Sequence, residues 1–579
     1  MPDMLAHISP QSVSLKITAC SATTPSRTGS GTYKTFYSRH REWVTCLRKG
    51  HRVARPSNAS QLSQLCVIGI LGCCSAWTHT SAAAEARDAT CKALSHDDFT
   101  VVQDGATEII DSKVVESDKS MPAYCRVQGY TAPQIGFELY LPLEGWNKKF
   151  LQIGCIGHCG ITELVALCPL QKGYACIAAD DGHKSTPSGA LWGNENWQAK
   201  IDWGYRAPHV TAQAGKAIIH RFYGTQSARS YFLGQSTGGR QALQEAQRFP
   251  WDFDGVVAIN PPPDLSAVYM TFAWGRQALH DTRGEPLLNN AELKLLTDSA
   301  VAKCDLSDGV KDGIIGDPLH CSFDPSELAC KPHQVEGCLS PTQIDAIKKV
   351  YAGPTTSSGI RLTHGGPLPG SEFGNPIYDN GWSESYLNDD SGTVELATLG
   401  LRYLFFSSDP GHRWTLRDFD FDRDYRSLGV MEALYDASNP DLRVFKKAQG
   451  KLMIFQGLND VAALPRSTID YYEAVERVMG GRRATQDFVR LFLVPGVDHV
   501  HVGPGAATID YLKALEDWVE EGRAPDRLIA VHLKHVDDDG RPLDPSNVQF
   551  TRPLYPYPLR AKYRGRGNPA DAESFVPVD

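Results

Sequence analysis

Gly234-Gln235-Ser236-Thr237-Gly238 is the stretch of sequence that decides the fold. Residues 230–233 (SYFL) before it are apolar and aromatic, as in a short buried strand, and residues 240–248 (RQALQEAQR) after it are good helix formers. A Gly-x-Ser-x-Gly sequence between a strand and a helix predicts a sharp turn that lifts the serine hydroxyl out of the backbone, at the positive end of the helix. The glycines are needed where a Cβ atom would collide with the crowded turn. An ordinary glycine-rich turn is the alternative interpretation.

An acid and a base follow later in the chain, each shortly after a predicted strand. Residues 451–455 (KLMIF) form an apolar run that leads to Asp460, and residues 488–494 (FVRLFLV) lead to His499. A serine hydroxyl is a weak nucleophile at neutral pH, so a base must take its proton and an acid must orient and stabilise that base. The chain order Ser236, Asp460, His499 is that of the α/β-hydrolase fold. We therefore predict that these three residues form a catalytic triad.

The assignment of the acid and the base leaves two alternatives open. Asp498 and His501 lie close enough in sequence to His499 to be mistaken for members of the triad. Asp460 also stands where an aspartate would merely cap the next helix.

The distribution of strands and helices along the chain predicts an α/β architecture. Strands alternate with helices from about residue 145 to 265 and again from about 445 to 535, which indicates a parallel sheet with helices on both faces. Between these parts the chain is rich in Pro, Gly, Ser and Asp, with isolated helices at 290–303 and 340–351. An insertion at this point of the fold is where a lid belongs. We therefore expect an N-terminal extension (1–60), a signal-peptide-like segment (61–86), the two parts of an α/β-hydrolase core (87–265 and 445–579) and a lid domain (266–444) between them.

A short acidic loop lies inside the predicted lid. Residues 304–314 (CDLSDGVKDGI) place carboxylates at Asp305, Asp308 and Asp312, with glycines that allow the loop to fold back. Several oxygen ligands on one short loop suit Ca²⁺, with backbone carbonyls completing the shell. The spacing is not that of an EF-hand, and a solvated acidic turn is the alternative.

The N-terminal region has the order of a signal peptide. A basic run at 48–55 precedes an apolar stretch at 65–77 and small residues at 81–84, and the apolar stretch is too short for a membrane-spanning helix. This pattern begins unusually late, which a start codon upstream of the true one explains most simply. An uncleaved anchor, or a lipoprotein attached through Cys73, is the alternative. We expect a secreted or periplasmic protein without a stable membrane span after processing.

Charge and composition restrict the class of partner. The 579-residue chain has a net charge of −9 with scattered Lys and Arg, which argues against nucleic acid as a partner. The predicted serine chemistry requires no organic cofactor, so a small-molecule substrate is the expected partner.

Beyond single motifs, the chain resembles the tannase/feruloyl esterase family of α/β-hydrolases, which includes bacterial enzymes that cleave the mono-ester of terephthalate. The resemblance extends over nearly everything after about residue 90. The matching segments are 121–129 (MPAYCRVQG), 173–175 (GYA), 181–183 (DGH), 234–240 (GQSTGGR), 246–255 (AQRFPWDFDG) and 552–558 (RPLYPYP).

The resemblance implies a serine carboxylesterase that acts on esters of aromatic carboxylic acids, of feruloyl, galloyl or terephthaloyl type, through an acyl-enzyme. It also implies a lid that selects the acyl group. A peptidase or lactonase on the same fold, and a non-catalytic binding protein of this fold, are the alternatives that we keep.

An oxyanion hole is expected from two backbone amides. One belongs to Thr237, the residue after the nucleophile, and the other to the loop after an early strand. In the family that loop typically reads Gly-x-Gly-Gly, and here it reads 150–160 (FLQIGCIGHCG). Gly157 is our choice for the second amide, with Cys155 and Ile156 as alternatives.

The family also implies metal ligands and disulfides. It carries a structural Ca²⁺ on the acidic loop, with carbonyl ligands at positions matching Val310 and Ile314. The Ca²⁺ ligands that the resemblance implies are therefore Asp305, Asp308, Val310, Asp312 and Ile314. It joins the cysteines that match three pairs here, Cys91–Cys125, Cys304–Cys321 and Cys330–Cys338. Sequence does not determine the pairing of Cys155, Cys159, Cys168 and Cys176. A zinc site at the first two of these four is a further alternative.

The chain departs from the family at several places. The family usually has a disulfide between a cysteine just before the nucleophile and one just after the catalytic histidine, where this chain has Gln235 and Val500. Tyr555 stands where a further cysteine is typical, and no cysteine follows Cys338. Two family disulfides are therefore expected to be absent, and the rigidity of the catalytic loops is in question.

Overall fold

A nine-stranded sheet forms the centre of the molecule. The computed structural model describes residues 88–118, 121–374, 381–535 and 545–579, so the predicted extension (1–60) and signal-peptide-like segment (61–86) lie outside the described residues. The strands of the sheet are β1 Thr107–Val115, β2 Tyr124–Thr131, β3 Ile135–Pro142, β4 Lys149–Ile153, β5 Ala175–Ala179, β6 Arg229–Gln235, β7 Gly255–Ile259, β8 Lys451–Gly457 and β9 Val489–Val494.

The order of the strands is β1-β2-β3-β5-β4-β6-β7-β8-β9. The first three strands pair antiparallel, and β3 also pairs antiparallel with β5. From β5 to β9 every pair is parallel, as the alternation of strands and helices predicts. Strands of this kind are buried on both faces and read as continuous apolar runs, which is why β6, β8 and β9 are recognisable in the sequence.

Helices cover both faces of the sheet. They are α1 Trp197–Ile201, α2 Ala207–Tyr223, α3 Thr237–Arg248, α4 Leu265–Ala278, α5 Asn290–Cys304, α6 Pro341–Ala352, α7 Gly392–Gly400, α8 Gly429–Tyr435, α9 Arg443–Lys447, α10 Pro465–Met479, α11 Arg482–Gln486 and α12 Tyr511–Glu521. On one face α2, α3 and α10 bury their apolar sides against the sheet. On the other face α12 and much of the long insertion between β7 and β8 share a second core.

The insertion begins after β7 and ends at β8. The helices that the sequence predicts at 290–303 and 340–351 are present as α5 and α6, with bounds that differ by at most one residue at each end. Both begin with a capping box, in which Asn289 and Ser340 accept hydrogen bonds from the first-turn amides. Most of the buried residues that the structure describes in the insertion join the cluster that covers this face of the sheet.

Two short antiparallel hairpins complete the described chain. They pair β10 Leu528–Leu533 with β11 Val548–Leu554, and β12 Arg560–Tyr563 with β13 Phe575–Val578. Across the described ranges, none of the helices combines the length and the apolar character that crossing a bilayer would need.

Disulfides tie the described chain at several places. The three bridges that the family resemblance implies are present, Cys91–Cys125, Cys304–Cys321 and Cys330–Cys338. The pairing left open by the sequence is Cys155–Cys159 and Cys168–Cys176. The sulfurs of Cys155 and Cys159 lie beside the buried carboxylate of Asp181, but they are bonded to each other, which disfavours the zinc alternative.

Candidate active site

The three residues of the predicted triad meet at the carboxyl edge of the parallel strands. Ser236 follows β6, Asp460 follows β8 and His499 follows β9. The Oγ atom of Ser236 is 2.8 Å from Nε2 of His499. The other ring nitrogen of His499, Nδ1, is 2.8 Å from Oδ2 of Asp460. These distances are those of a nucleophile bonded to its base and a base oriented by an acid.

The turn at Ser236 is as sharp as the motif predicts. Ser236 has φ 57° and ψ −121°, a conformation that residues with a side chain rarely adopt. A Cβ atom on Gly234 would lie 2.1 Å from the carbonyl oxygen of Gly238, and one on Gly238 would lie 2.7 Å from the carbonyl oxygen of Cys155. Both glycines of the motif are therefore required by close backbone contacts.

Asp460 both orients the histidine and accepts hydrogen bonds from the turn that follows it. Its side chain is fully buried, and Oδ1 accepts hydrogen bonds from the amides of Ala462 and Ala463 at 2.8 and 2.9 Å. Oδ2 is left to face His499. The next helix, α10, has Leu464 as its N-cap without a side-chain hydrogen bond, so the alternative that Asp460 caps this helix is wrong.

Asp498 and His501, the neighbours that sequence leaves as alternatives, have other contacts. The carboxylate of Asp498 accepts hydrogen bonds from the amides of Val500 and Val502 and so closes the turn around His499. The Nδ1 atom of His501 lies 3.1 Å from the carbonyl oxygen of Ala507, and burial lowers the pKa of His501 to about 4. These two residues shape the loop, and neither lies in the Ser–His–Asp chain of hydrogen bonds.

The pKa of His499 is set by two opposing effects. Burial is the larger single influence and lowers the pKa, since the charged ring loses its hydration. The charge and hydrogen bond of Asp460, with a smaller contribution from the charge of Asp498, together outweigh burial and raise the pKa above the ordinary value of 6.5. The protonated form of the ring is thus stabilised where a proton would arrive from Ser236.

The loop after β4 lies directly against the turn at Ser236. A Cβ atom on Gly154 would be 2.7 Å from the Cα of Gly238. The hydroxyl of Thr237 donates to the carbonyl oxygen of Gly157 at 2.6 Å, which fixes this loop to the start of α3. Gly157 has φ 54°, and a Cβ atom there would lie 2.4 Å from the carbonyl oxygen of Pro187.

The amides near this turn differ in their hydrogen bonding. The amide of Cys155 donates to the side-chain oxygen of Gln241 at 3.1 Å and is already engaged. Thr237 is the first residue of α3, where a backbone amide has no partner within its own helix. Of the amides considered from sequence, those of Thr237, Ile156 and Gly157 thus remain as donors for an anionic oxygen.

Comparison with known proteins identifies the family of the chain. Residues 112–578 match the family described as tannase and feruloyl esterase. The chain belongs to this family. It is accordingly a carboxylic ester hydrolase with the α/β-hydrolase fold.

Similar individual proteins extend the comparison. The chain is 32% identical to an uncharacterised esterase of Xanthomonas campestris, over 86% of this chain and 92% of that protein. It is 30% identical to mono(2-hydroxyethyl) terephthalate hydrolase of Piscinibacter sakaiensis, over 83% of this chain and 90% of that protein. Among solved structures, feruloyl esterase B of Aspergillus oryzae superimposes with a TM-score of 0.73 at 25% identity, over 85% of this chain and all of that one.

In this member of the family, the insertion reaches the loop after β4. The Nε2 atom of His158, next to Gly157, is 2.6 Å from the hydroxyl of Tyr269 on α4. The C-terminal end of α7 packs against the same two residues. A Cβ atom added to Gly400 there would collide with the ring of Tyr269 and lie 3.0 Å from Nε2 of His158. The insertion therefore rests on the segment that holds the candidate oxyanion donors.

The acidic loop folds back on itself as its glycines allow. Asp305, which is buried, accepts hydrogen bonds from the amides of Asp312 and Gly313, and Asp308 accepts one from the amide of Val310. Burial raises the pKa of Asp308 to about 6, and the neighbouring carboxylates of Asp312 and Asp305 add to this. The guanidinium of Arg552 offsets part of the negative charge at Asp312.

Such an arrangement fits a hard cation. Burial and the two acidic neighbours disfavour the charged form of Asp308, and a divalent ion bound beside it would offset that cost. The carbonyl groups of Val310 and Ile314 belong to the same turn.

Proposed function

We propose that Ser236 is the nucleophile of an esterase that works through an acyl-enzyme. His499 takes the proton of Ser236 as Oγ attacks the ester carbonyl, and Asp460 stabilises the imidazolium that forms. The same proton then goes to the departing alcohol. Water repeats the sequence and releases the acid. The observation that carries this proposal is the unbroken chain of two 2.8 Å hydrogen bonds from Ser236 through His499 to Asp460.

The tetrahedral oxyanion would be held by the amides of Thr237 and Gly157. Backbone donors aimed at developing charge need no reorganisation during the reaction, and one such donor contributes about 10²- to 10³-fold in kcat. The hydrogen bond from the Thr237 side chain to the Gly157 carbonyl supports this choice, since it holds the two candidate residues together. The amide of Ile156 is the alternative second donor.

We propose esters of aromatic carboxylic acids as substrates, of the feruloyl, galloyl or terephthaloyl type. Support comes from the relatives, which carry the names feruloyl esterase and mono(2-hydroxyethyl) terephthalate hydrolase. The insertion would act as the lid that selects the acyl group, because it contacts the loop of Gly157 through Tyr269.

Calcium and export complete the proposal. Asp305, Asp308, Asp312 and the carbonyls of Val310 and Ile314 would hold a structural Ca²⁺, for which the mutual repulsion of the carboxylates gives the physical reason. A secreted or periplasmic enzyme fits the disulfides of the described chain, since such bridges persist in oxidising compartments.

A substrate panel with an inactive variant tests the function. We expect the enzyme to hydrolyse methyl ferulate, methyl gallate or mono(2-hydroxyethyl) terephthalate faster than a lactone or a peptide. Ser236→Ala should lower turnover by roughly 10⁴- to 10⁶-fold and leave the melting temperature nearly unchanged. Retention of more than a few per cent of turnover by Ser236→Ala would exclude the assigned nucleophile. Preference for the lactone or peptide would exclude the proposed substrate class.

A further inference from the structure

The backbone carbonyl of His499 receives hydrogen bonds from two side chains outside the triad. The amide Nε2 of Gln235, the residue before the nucleophile, donates to it at 2.7 Å. The amide Nδ2 of Asn260, just after β7, donates to the same oxygen at 2.9 Å and to the carbonyl oxygen of Asp498 at 2.9 Å. A carbonyl oxygen has two lone pairs, so these donors saturate the His499 carbonyl.

Asn260 also reaches the strand that carries the acid. Its side-chain oxygen accepts a hydrogen bond from the amide of Gly457 at 2.8 Å, three residues before Asp460. The Asn260 side chain is fully buried, and its φ of 43° lies in the left-handed region that asparagine tolerates better than most residues. One side chain thus bridges the end of β8 and the loop of His499.

Hydrogen bonds hold the backbone of His499 within this loop. Val500, the residue after His499, is 39% exposed. The Gln235 side chain is largely buried, so its amide has little access to water as an alternative partner. Removal of one donor leaves the His499 carbonyl with a single partner, and this lets the loop move.

We propose that Gln235 and Asn260 are positioning residues, which hold the backbone of His499 so that its imidazole stays aligned with Ser236. This proposal rests on the proposed role of the triad. Neither side chain contacts the reacting atoms, and each acts through the peptide group of the histidine. A displacement of about 1 Å at a catalytic group lowers the rate by up to about 10²-fold. Two buried side chains that prevent such a displacement of His499 would therefore have a measurable effect on kcat.

Substitutions that delete the donor test the proposal. Gln235→Met keeps length and removes the amide, and Asn260→Gly keeps the positive φ and removes the side chain. We expect each to lower kcat by about 10-fold and the double variant by about 100-fold, with KM within about 2-fold of wild type. Labelling of Ser236 by a fluorophosphonate should slow in parallel, since it needs the same base.

A matched control separates alignment from stability. Gln152 is equally buried and donates to the carbonyl oxygen of Pro208 at 2.9 Å, away from the triad. Gln152→Met should lower the melting temperature about as much as Gln235→Met, and leave kcat and labelling rate unchanged. If Gln235→Met retains wild-type kcat and labelling rate, or loses them only in proportion to unfolding, the positioning role is wrong.

The Ser236→Ala variant, measured in parallel, distinguishes failure of the positioning role from failure of the proposed function. Loss of turnover in Ser236→Ala together with wild-type kinetics in the Gln235 and Asn260 variants overturns the positioning role alone. Turnover retained by Ser236→Ala overturns the proposed function, and the positioning role with it.

Discussion

His499 shows how a few contacts tune one residue for two tasks. In the proposed mechanism it must be neutral to accept a proton from Ser236, and its charged form must then be stable enough to hold that proton. Burial favours the neutral ring, while the charge and hydrogen bond of Asp460 favour the charged one, and the balance raises the pKa. Because only the neutral ring can act as a base, activity should fall as the pH drops through the raised pKa, above 6.5.

Asp460→Asn tests this balance. The substitution removes the charge that raises the pKa of His499, so the acidic limb of the kcat/KM profile should move to lower pH. Turnover should fall by roughly 10⁴-fold, because an amide no longer fixes the tautomer. Asp498→Asn is the control, since that carboxylate bonds the amides of Val500 and Val502 and affects His499 less. An unchanged acidic limb in Asp460→Asn would show that another group controls the profile.

At the scale of single residues, sequence predicted that Ser236, His499 and Asp460 would meet, but it did not predict the contacts that support them. Ser236, Asp460 and His499 each follow an apolar run, so local pattern and chain order locate them. Gln235 stands out in sequence only as a departure from the family. Its partner is a backbone carbonyl 264 residues later, which no local pattern encodes. The same holds for Asn260, whose contacts are with the loops after other strands.

At the scale of elements, the loop after β4 is closed by a disulfide of its own. The Cys155–Cys159 bridge encloses Ile156 and Gly157, the candidates for the second oxyanion donor. Both cysteines are buried, and the backbone of Cys155 lies against Gly238 in the turn at Ser236. The bridge thus restricts a five-residue segment that holds the amide proposed to bind the oxyanion.

Removal of this bridge should lower both stability and kcat. Cys155→Ala/Cys159→Ala opens only a short loop, for which the chain-entropy account gives about 2 kcal/mol. We expect kcat to fall by about 10-fold because the oxyanion donors become less fixed. The control is Cys168→Ala/Cys176→Ala, which opens another short loop on the same face of the sheet. Equal kcat in the two double variants would mean that the first bridge has no special role.

Elements differ in how well sequence predicts them. Strands β6, β8 and β9 and helices α5 and α6 follow from apolar runs and capping residues. The cysteine pairing on the loop after β4 does not, because four cysteines allow three connectivities. The contact of α4 with that loop through Tyr269 and His158 depends on how the insertion folds over the sheet, and periodicity alone gives no such long-range information.

For the molecule as a whole, the acidic loop lies where three parts of the chain meet. Ile314 packs against the loop of His499, since a Cβ atom on Gly496 would lie 3.0 Å from its side chain. Arg552, on β11, pairs with Asp312. The loop itself is anchored in the insertion by the Cys304–Cys321 bridge. An ion bound here would therefore stabilise the insertion, the histidine loop and the C-terminal region together.

Calcium removal should destabilise the whole molecule without abolishing the chemistry. A ligand that binds only the folded state stabilises it by RT ln(1 + [L]/Kd), about 2.7 kcal/mol at 100 times Kd. Chelation by EDTA should thus lower the melting temperature by a few degrees, and added Ca²⁺ should restore it. Asp308→Asn should reproduce the loss and resist restoration, whereas Asp324→Asn, at an exposed cap in the same insertion, should respond to Ca²⁺ like wild type. Well below the melting temperature, kcat should change little, because a serine nucleophile needs no metal. Should EDTA alter neither the melting temperature nor the calcium content, the loop is an acidic turn held by its own backbone amides and Arg552.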